Sequence, residues 1–117
     1  MSPAVLIIEA RSEVASALEA VLASANFTTI VVPHLDRLSD IAITPAAILV
    51  RISFESPSDP PHDAVKRLPP SRPPVVAIAW EEDELEAARQ LKCDVILHAP
   101  HDIVRLCDAL TKVIQET

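Results

Sequence analysis

The sequence predicts an α/β fold: a three-layer αβα sandwich built on a doubly wound, five-stranded parallel sheet. Five short apolar runs alternate along the chain with segments of helical periodicity. The runs are hydrophobic throughout rather than at every second residue, which indicates strands that are buried on both faces. Right-handed crossovers then place helices on both sides of the sheet. Because the chain has 117 residues and no internal repeat, we expect one domain spanning 1–117.

The five predicted strands are short runs of aliphatic or β-branched residues. They span residues 4–8, 28–32, 47–50, 75–79 and 95–97. The second run, Thr-Thr-Ile-Val-Val, is β-branched at every position and is closed by Pro33. A proline cannot donate a backbone hydrogen bond to a neighbouring strand, so the second strand is expected to end there.

Helices are predicted between the strands from apolar residues that recur every three or four positions. Ser12 is expected to cap the first helix, whose predicted inner face holds Val14, Leu18, Val21, Leu22 and Ala25. A short helix around residues 35–41 and at most two helical turns within 61–69 would follow. A helix at 81–91 opens with acidic residues, which suits the helix dipole. Asp102 is expected to cap the last helix, with Ile103, Leu106, Cys107, Leu110, Val113 and Ile114 facing inward.

Glycine is absent from the chain, and this excludes two common kinds of ligand site. A phosphate-binding P-loop and the dinucleotide-binding fingerprint both require glycines. Turns that need a positive φ must use another residue, and Asn26 is expected to end the first helix in this way.

Proline is correspondingly frequent: the chain has 11, and seven of them fall within residues 57–74. They are expected to stiffen the third crossover by restricting the unfolded chain. Alternatively, a reader of PxxP motifs could bind at 57–60 or 70–73.

The charge balance bears on partners and location. A formal net charge of −7 argues against nucleic acid and against an anionic membrane as partner. No apolar run reaches the roughly 18 residues of a membrane span, and the N-terminus lacks a basic signal-peptide region. We therefore expect a cytoplasmic protein. Cys93 and Cys107 are too few for a disulfide scaffold and are expected to be small buried hydrophobes.

Five segments resemble, in order and in spacing, one family of domains. They read LIIEA at 6–10, NF at 26–27, ILVR at 48–51, PVVAIAW at 74–80 and DVILHAP at 94–100. Together they are similar to the receiver domain of bacterial two-component response regulators, and the similarity extends over nearly the whole chain. The resemblance implies a flavodoxin-like sheet order of 2-1-3-4-5. It also implies a site at the carboxyl ends of strands 1, 3, 4 and 5.

The resemblance also implies that this site is degenerate. Receivers hold Mg²⁺ with two acids, accept phosphate on an aspartate, and contact it with a hydroxyl and a lysine, which is followed by proline. The matching positions here are Glu9, Ala10, Arg51, Ala79, Ala99 and Pro100, of which only the first and last keep the family's pattern. We therefore expect a pseudo-receiver without Mg²⁺, other cofactors or enzymatic activity.

Two arrangements of Arg51 are open at this stage. It could form a salt bridge with Glu9, which ends an adjacent strand, and so replace the missing metal and lysine electrostatically. It could instead point into solvent. With His98 nearby, Arg51 could also bind an anion. A metal site at His98 and His101, with Cys93 and Asp94 upstream, is a further but weaker possibility.

Without phosphorylation, such a module would act through contact with another signalling protein or with a second copy of itself. The face that serves this purpose in receivers would here include Leu85, Arg89, Ile96, Arg105 and Asp108, and it could form a two-fold homodimer. Trp80 could be an exposed binding residue, or it could cover the space left by the lost pocket side chains.

Two other functions compete with the pseudo-receiver. The chain could be a phosphoreceiver with a displaced acceptor, for instance Glu55 or Asp59. It could also be an unrelated flavodoxin-like domain that binds a small ligand or an anion, because a fold alone does not fix a function. Thr44 and Ser53 offer hydroxyls, but no recognisable base lies near them in the sequence, so nucleophilic catalysis is not expected.

Overall fold

A computed structural model describes residues 3–33, 44–53 and 72–115 of the chain. Five parallel strands form one sheet in the order β2-β1-β3-β4-β5, as predicted. The strands are β1 (Ala4–Ile8), β2 (Thr28–Val32), β3 (Ala47–Arg51), β4 (Val75–Ala79) and β5 (Val95–His98). β3 and β5 each extend one residue beyond the predicted end.

Three α-helices and one 3₁₀ helix accompany the sheet within the described residues. They are α1 (Ser12–Ser24), α2 (Glu82–Gln90), the 3₁₀ helix (His101–Arg105) and α3 (Leu106–Gln115). The short helices predicted at 35–41 and within 61–69 lie outside the described residues, as does most of the proline-rich stretch.

The core lies on both faces of the sheet, which explains why the strands are continuously apolar. One cluster packs α1 and α3, through residues such as Leu22 and Leu110, against Ile7 and Leu49. The other packs the Leu85 side of α2 against the alternate strand residues, which are Leu6, Ile8, Ile48, Val50, Val75 and Ala77. Successive strand residues therefore serve opposite layers.

Three predictions about α1 are wrong. Ala25, expected on the inner face, is exposed and follows the helix as its C-cap residue. Ser12 is the first residue of the helix rather than its cap; Arg11 occupies the cap position, and no side chain makes a capping hydrogen bond there. Val21 is 43% exposed. The buried residues of α1 are Ala15, Leu18 and Leu22, a single narrow stripe, and Val21 lies about 100° around the helix from Leu22.

The predicted cap of the last helix is also wrong. The Asp102 carboxylate accepts the backbone N–H of His98 at 2.9 Å and so ties the end of β5 to the turn that follows. The chain then makes the 3₁₀ helix before α3 begins at Leu106. Within α3, the buried side chains are Leu106, Leu110 and Val113, which agrees with the predicted inner face.

Left-handed backbone occurs where glycine would ordinarily serve. Asn26 has a φ of 69°, which confirms the prediction for the end of α1. Lys92 has a φ of 56° after the end of α2. In both turns the helix is closed by backbone hydrogen bonds, such as Phe27 N–H to the Leu22 carbonyl at 3.0 Å.

Candidate functional site

The carboxyl ends of four strands converge at one edge of the sheet. Ile8 is paired with Val50, and Arg51 with Ile78, so Glu9 and Arg51 emerge next to each other. Ala79 is paired with His98 in the same manner on the other side of β4. This edge is where the resemblance places the functional site, and the structure brings its predicted residues together there.

Glu9 and Arg51 form a two-point salt bridge. Arg51 Nε donates to Glu9 Oε2 at 2.6 Å, and Arg51 Nη2 donates to Glu9 Oε1 at 3.0 Å. The Glu9 side chain is 1% exposed and the Arg51 side chain is 13% exposed. This confirms the predicted salt bridge and contradicts the alternative in which Arg51 points into solvent.

The Glu9 carboxylate also organises the loop after β1. Its Oε1 atom accepts the backbone N–H of Arg11 at 3.0 Å. The backbone N–H of Glu9 donates to the Val32 carbonyl at 3.1 Å. One buried carboxylate therefore joins β1, β3 and the start of α1, and the sequence did not indicate its third hydrogen bond. A buried charge that is paired and hydrogen-bonded in this way is compensated, whereas an unpaired one is costly.

The other predicted pocket residues contribute no polar side chain. Ala79 and Ala99 are buried, and Ala10 and Pro100 are exposed. The Ala99 backbone N–H donates to the Ala79 carbonyl at 2.8 Å, which continues the pairing of β4 and β5 by one residue. The site thus offers one carboxylate and one guanidinium, already bonded to each other.

This donor set does not fit Mg²⁺, which needs several oxygen ligands and local negative charge. Across the described ranges, no three or more His, Cys, Asp or Glu side chains form a group that could hold a metal. His98 Nε2 lies 3.1 Å from the Trp80 carbonyl, so its ring nitrogen is bonded to the β4–α2 connection. The anion site suggested for Arg51 and His98 stays a prediction.

The start of α2 holds a feature that the sequence analysis missed. Glu84 Oε1 accepts the backbone N–H groups of Trp80 at 2.7 Å and of Glu81 at 3.1 Å. The Glu81 side chain in turn accepts the N–H of the third helical residue, which completes a capping box. The spacing of Glu81 and Glu84 is that of a capping box, but the capping residue is usually Ser, Thr, Asp or Asn. For this reason the acidic residues predicted only a favourable interaction with the helix dipole.

Trp80 is 49% exposed and lies at the edge of a groove of about 750 Å³ beside the salt bridge. The groove runs between α1, the β4–α2 connection and the 3₁₀ helix, and Arg51 forms part of its wall. Both roles for Trp80 stay predictions: its side chain is accessible to a partner, and it also borders the altered pocket.

The face predicted for protein contacts is only partly at the surface. Leu85 is 8% exposed and packs in the α2 layer of the core, so it is not available for a partner. It faces inward because α2 has one narrow buried side, formed by Leu85 and Ala88. Ile96 is half-buried, and the exposed Arg89 pairs with Glu86 at 3.1 Å. Arg105 and Asp108 are exposed. Arg105 Nη1 lies 4.0 Å from Asp102 Oδ1.

The cysteines are half-buried rather than fully buried. Burial raises the pKa of the Cys93 thiol to about 11; the nearby Asp94 acts in the same direction, and Arg72 opposes both. Burial also raises the pKa of Cys107, with a smaller contribution from Asp108. Both thiols are therefore poor nucleophiles at neutral pH, as structural cysteines usually are.

Several remaining predictions fall on other parts of the chain. The proposed displaced acceptors, Glu55 and Asp59, lie outside the described residues. Ser53 is buried and Thr44 is exposed. No helix within the described ranges combines the length and apolar character that crossing a bilayer requires.

Comparison with known proteins identifies the fold through structure rather than sequence. No family model matches the sequence, and no curated protein matches it. Among solved structures, a CheY-like response regulator receiver domain from Methylobacillus flagellatus has a TM-score of 0.76 at 22% identity, covering 97% of this chain and 99% of that one. The chain has the receiver fold.

Other receivers match the chain equally well. A response regulator receiver protein from Burkholderia phymatum has a TM-score of 0.79 at 17% identity, covering 97% of this chain and 96% of that one. A receiver domain of a histidine kinase from Syntrophus aciditrophicus has a TM-score of 0.82 at 15% identity, covering 99% and 92%. These similarities confirm the predicted fold class and sheet order over nearly the full length of the receiver.

Proposed function

We propose that this chain is a pseudo-receiver: a response-regulator-type module that works without aspartyl phosphorylation and signals by binding another protein or a second copy of itself. The two-point salt bridge between Glu9 and Arg51 carries the proposal. It occupies the place where the resemblance puts a phosphoacceptor and one of the metal-binding acids.

The chemistry of the pair supports this function. A guanidinium stays protonated and cannot attack a phosphoryl group, so Arg51 cannot act as an acceptor. Both oxygens of Glu9 accept hydrogen bonds from Arg51, so Mg²⁺ could bind Glu9 only by displacing the guanidinium. The fixed cation would also repel the metal.

The exposed side chains agree with a protein that signals by binding a partner. Trp80, Arg89, Arg105 and Asp108 are exposed, and the net charge of −7 opposes binding to nucleic acid or to anionic lipid. Such a module would act in the cytoplasm without catalysis of its own and without a cofactor. Its activity would be set by the concentration of its partner.

The test is a two-dimensional amide NMR spectrum, recorded with and without Mg²⁺ and beryllofluoride, which mimics the phosphoryl group. We expect no saturable shifts in the natural protein. Saturable shifts at residues 9, 51 and 79 would contradict the proposal. Shifts confined to residues after Ser53 would instead favour the displaced acceptor.

A matched variant shows that the experiment can detect a working pocket. The quadruple variant Ala10→Asp, Arg51→Asp, Ala79→Thr, Ala99→Lys supplies the side chains that the resemblance says are missing. Because the fold already aligns these four positions at one edge of the sheet, we expect this variant to respond to beryllofluoride. Its circular dichroism spectrum should first match that of the natural protein.

A further inference from the structure

The groove beside the salt bridge is open to solvent and apolar at its base. Its volume of about 750 Å³ lies within the range of ligand-binding clefts, which is roughly 300–1,000 Å³. Val14 and Leu18 of α1 form one wall and Ile78 contributes from the end of β4. Trp80 and Val104 line the groove from the β4–α2 connection and the 3₁₀ helix.

Exposed apolar side chains are concentrated at this groove. Three large hydrophobic residues are exposed in the described part of the chain: Val21, Trp80 and Val104. Trp80 and Val104 line the groove, and Val104 is 85% exposed. An apolar patch rimmed by polar residues is typical of a surface that another molecule covers.

The charges at the groove are unbalanced toward the acidic side. Its two cations have carboxylate partners, because Arg51 pairs with Glu9 and Arg11 pairs with Glu13 at 3.2 Å. The carboxylates of Glu81 and Glu84 accept backbone N–H groups, which orient them without cancelling their charge. No ion pair among the described residues involves either of them. The chain as a whole carries −7.

We propose that this groove binds a basic amphipathic helix of a partner protein. The apolar side of that helix would cover Val14, Leu18 and Val104. Its lysine or arginine side chains would lie against the Trp80 ring and the carboxylates of Glu81 and Glu84, where cation–π attraction and charge pairing both act. A second copy of this chain is a poorer occupant, since two molecules of −7 charge repel each other. This inference rests on the proposed function and names the chemistry of its partner.

Trp80 allows a direct test, because it is the only tryptophan and the chain has no tyrosine. The probe is a Leu/Lys peptide of roughly 14 residues, about four helical turns, with leucine at helical spacing. The control probe has the same leucine pattern with glutamate in place of lysine. We expect the Leu/Lys peptide to shift Trp80 emission to shorter wavelength in a saturable way, and the Leu/Glu peptide to leave it unchanged.

Three surface variants separate groove binding from general attraction to an acidic protein. Val104→Asp should weaken binding of the Leu/Lys peptide roughly tenfold, because it places a charge in the apolar contact. Val21→Asp makes the same change at an exposed site outside the groove and should leave the affinity within about twofold. Glu81→Gln keeps the capping acceptor but removes a charge, and should weaken binding severalfold at low salt and less at high salt.

Three results would overturn the proposal: no binding of the Leu/Lys peptide, equal affinity for the Val104→Asp and Val21→Asp variants, or a Trp80 emission that changes on dilution without peptide, which would indicate self-association. None of these depends on phosphorylation. If the peptide fails to bind while beryllofluoride also leaves the NMR spectrum unchanged, the pseudo-receiver function stands and only the assignment of this groove falls.

Discussion

At the scale of single residues, Glu9 and Arg51 bring opposite charges into a region that water barely reaches. The pairing was predictable because the resemblance to receivers makes their two strands neighbours. The third hydrogen bond of Glu9, to the Arg11 backbone, was not predictable, because it depends on the path of a loop and not on a residue type. The exposure of Val104 was not predictable for a similar reason, since it follows from the 3₁₀ helix that precedes α3.

Removing one charge of the buried pair should cost more than removing both. Arg51→Met leaves the Glu9 carboxylate buried without a counter-charge, and we expect it to lower the free energy of unfolding by about 3 kcal/mol. The double variant Glu9→Leu, Arg51→Met should recover most of that loss, because it removes the uncompensated charge. Urea unfolding of the three proteins measures both values. A cost below about 1 kcal/mol for Arg51→Met would mean that the pair is effectively solvated.

Cys93 should react slowly, because burial holds its pKa at about 11. At pH 8 in a Cys107→Ser background, we expect its reaction with Ellman's reagent to be more than roughly tenfold slower in the folded protein than in urea. The raised pKa also sets the sign of a pH effect on stability. The contribution of Cys93 to the free energy of unfolding is fully present below the unfolded pKa of about 9. It is lost as the pH rises toward 11, because the unfolded chain releases its proton first. Equal reactivity in both states would refute the burial of this thiol.

At the scale of elements, the strands were the most predictable parts and the helix ends the least. Continuous apolar runs mark strands because both faces of the sheet are covered, and this holds whatever the loops do. Helix ends depend on which backbone N–H groups a side chain reaches. The Asp102 carboxylate accepts the backbone N–H of His98 instead of capping the helix that follows. The Glu84 side chain, from the first turn of α2, accepts the backbone N–H of Trp80, which precedes the helix. Asn26 was predictable because few residue types other than glycine tolerate a positive φ.

Lys92 is the second residue with a positive φ, a conformation that glycine usually adopts, and replacing it should increase the stability of the protein. Its φ of 56° brings the Cβ atom close to the backbone, and this conformation costs about 1–2 kcal/mol in a residue other than glycine. Lys92→Gly removes this strain but gives the unfolded chain more freedom, so we expect a net gain of about 0.5 kcal/mol in the free energy of unfolding. Lys92→Ala keeps the strain and serves as the control, with a change near zero. Thermal or urea unfolding would decide, and a loss of stability in Lys92→Gly would show that the Lys92 side chain stabilises the turn.

At the scale of the whole molecule, the sheet joins two layers of helices into one core. The alternation of core clusters along each strand follows from strand geometry and was predictable. The order of the strands was not, because apolar periodicity says nothing about which strands are neighbours. It came from the resemblance to receivers, and the solved structures of that fold confirm it.

Because both layers share the same strands, a defect in either layer should lower one common transition. We expect Leu110→Ala, on the buried side of α3, and Leu85→Ala, on the buried side of α2, each to lower the free energy of unfolding by about 2–4 kcal/mol. Far-UV circular dichroism and Trp80 fluorescence should give the same unfolding midpoint in each variant. If Trp80 fluorescence changed at lower urea than circular dichroism in Leu85→Ala alone, then the α2 layer would unfold separately.

The buried ion pair also bears on how this protein could change over generations. Under the proposed function, Arg51→Asp alone would place two carboxylates side by side in a buried site where Ala99 supplies no lysine. The first step toward a phosphoacceptor would therefore destabilise the fold before it restored any chemistry. A working phosphoacceptor site would therefore require several substitutions at once, at positions 10, 51, 79 and 99.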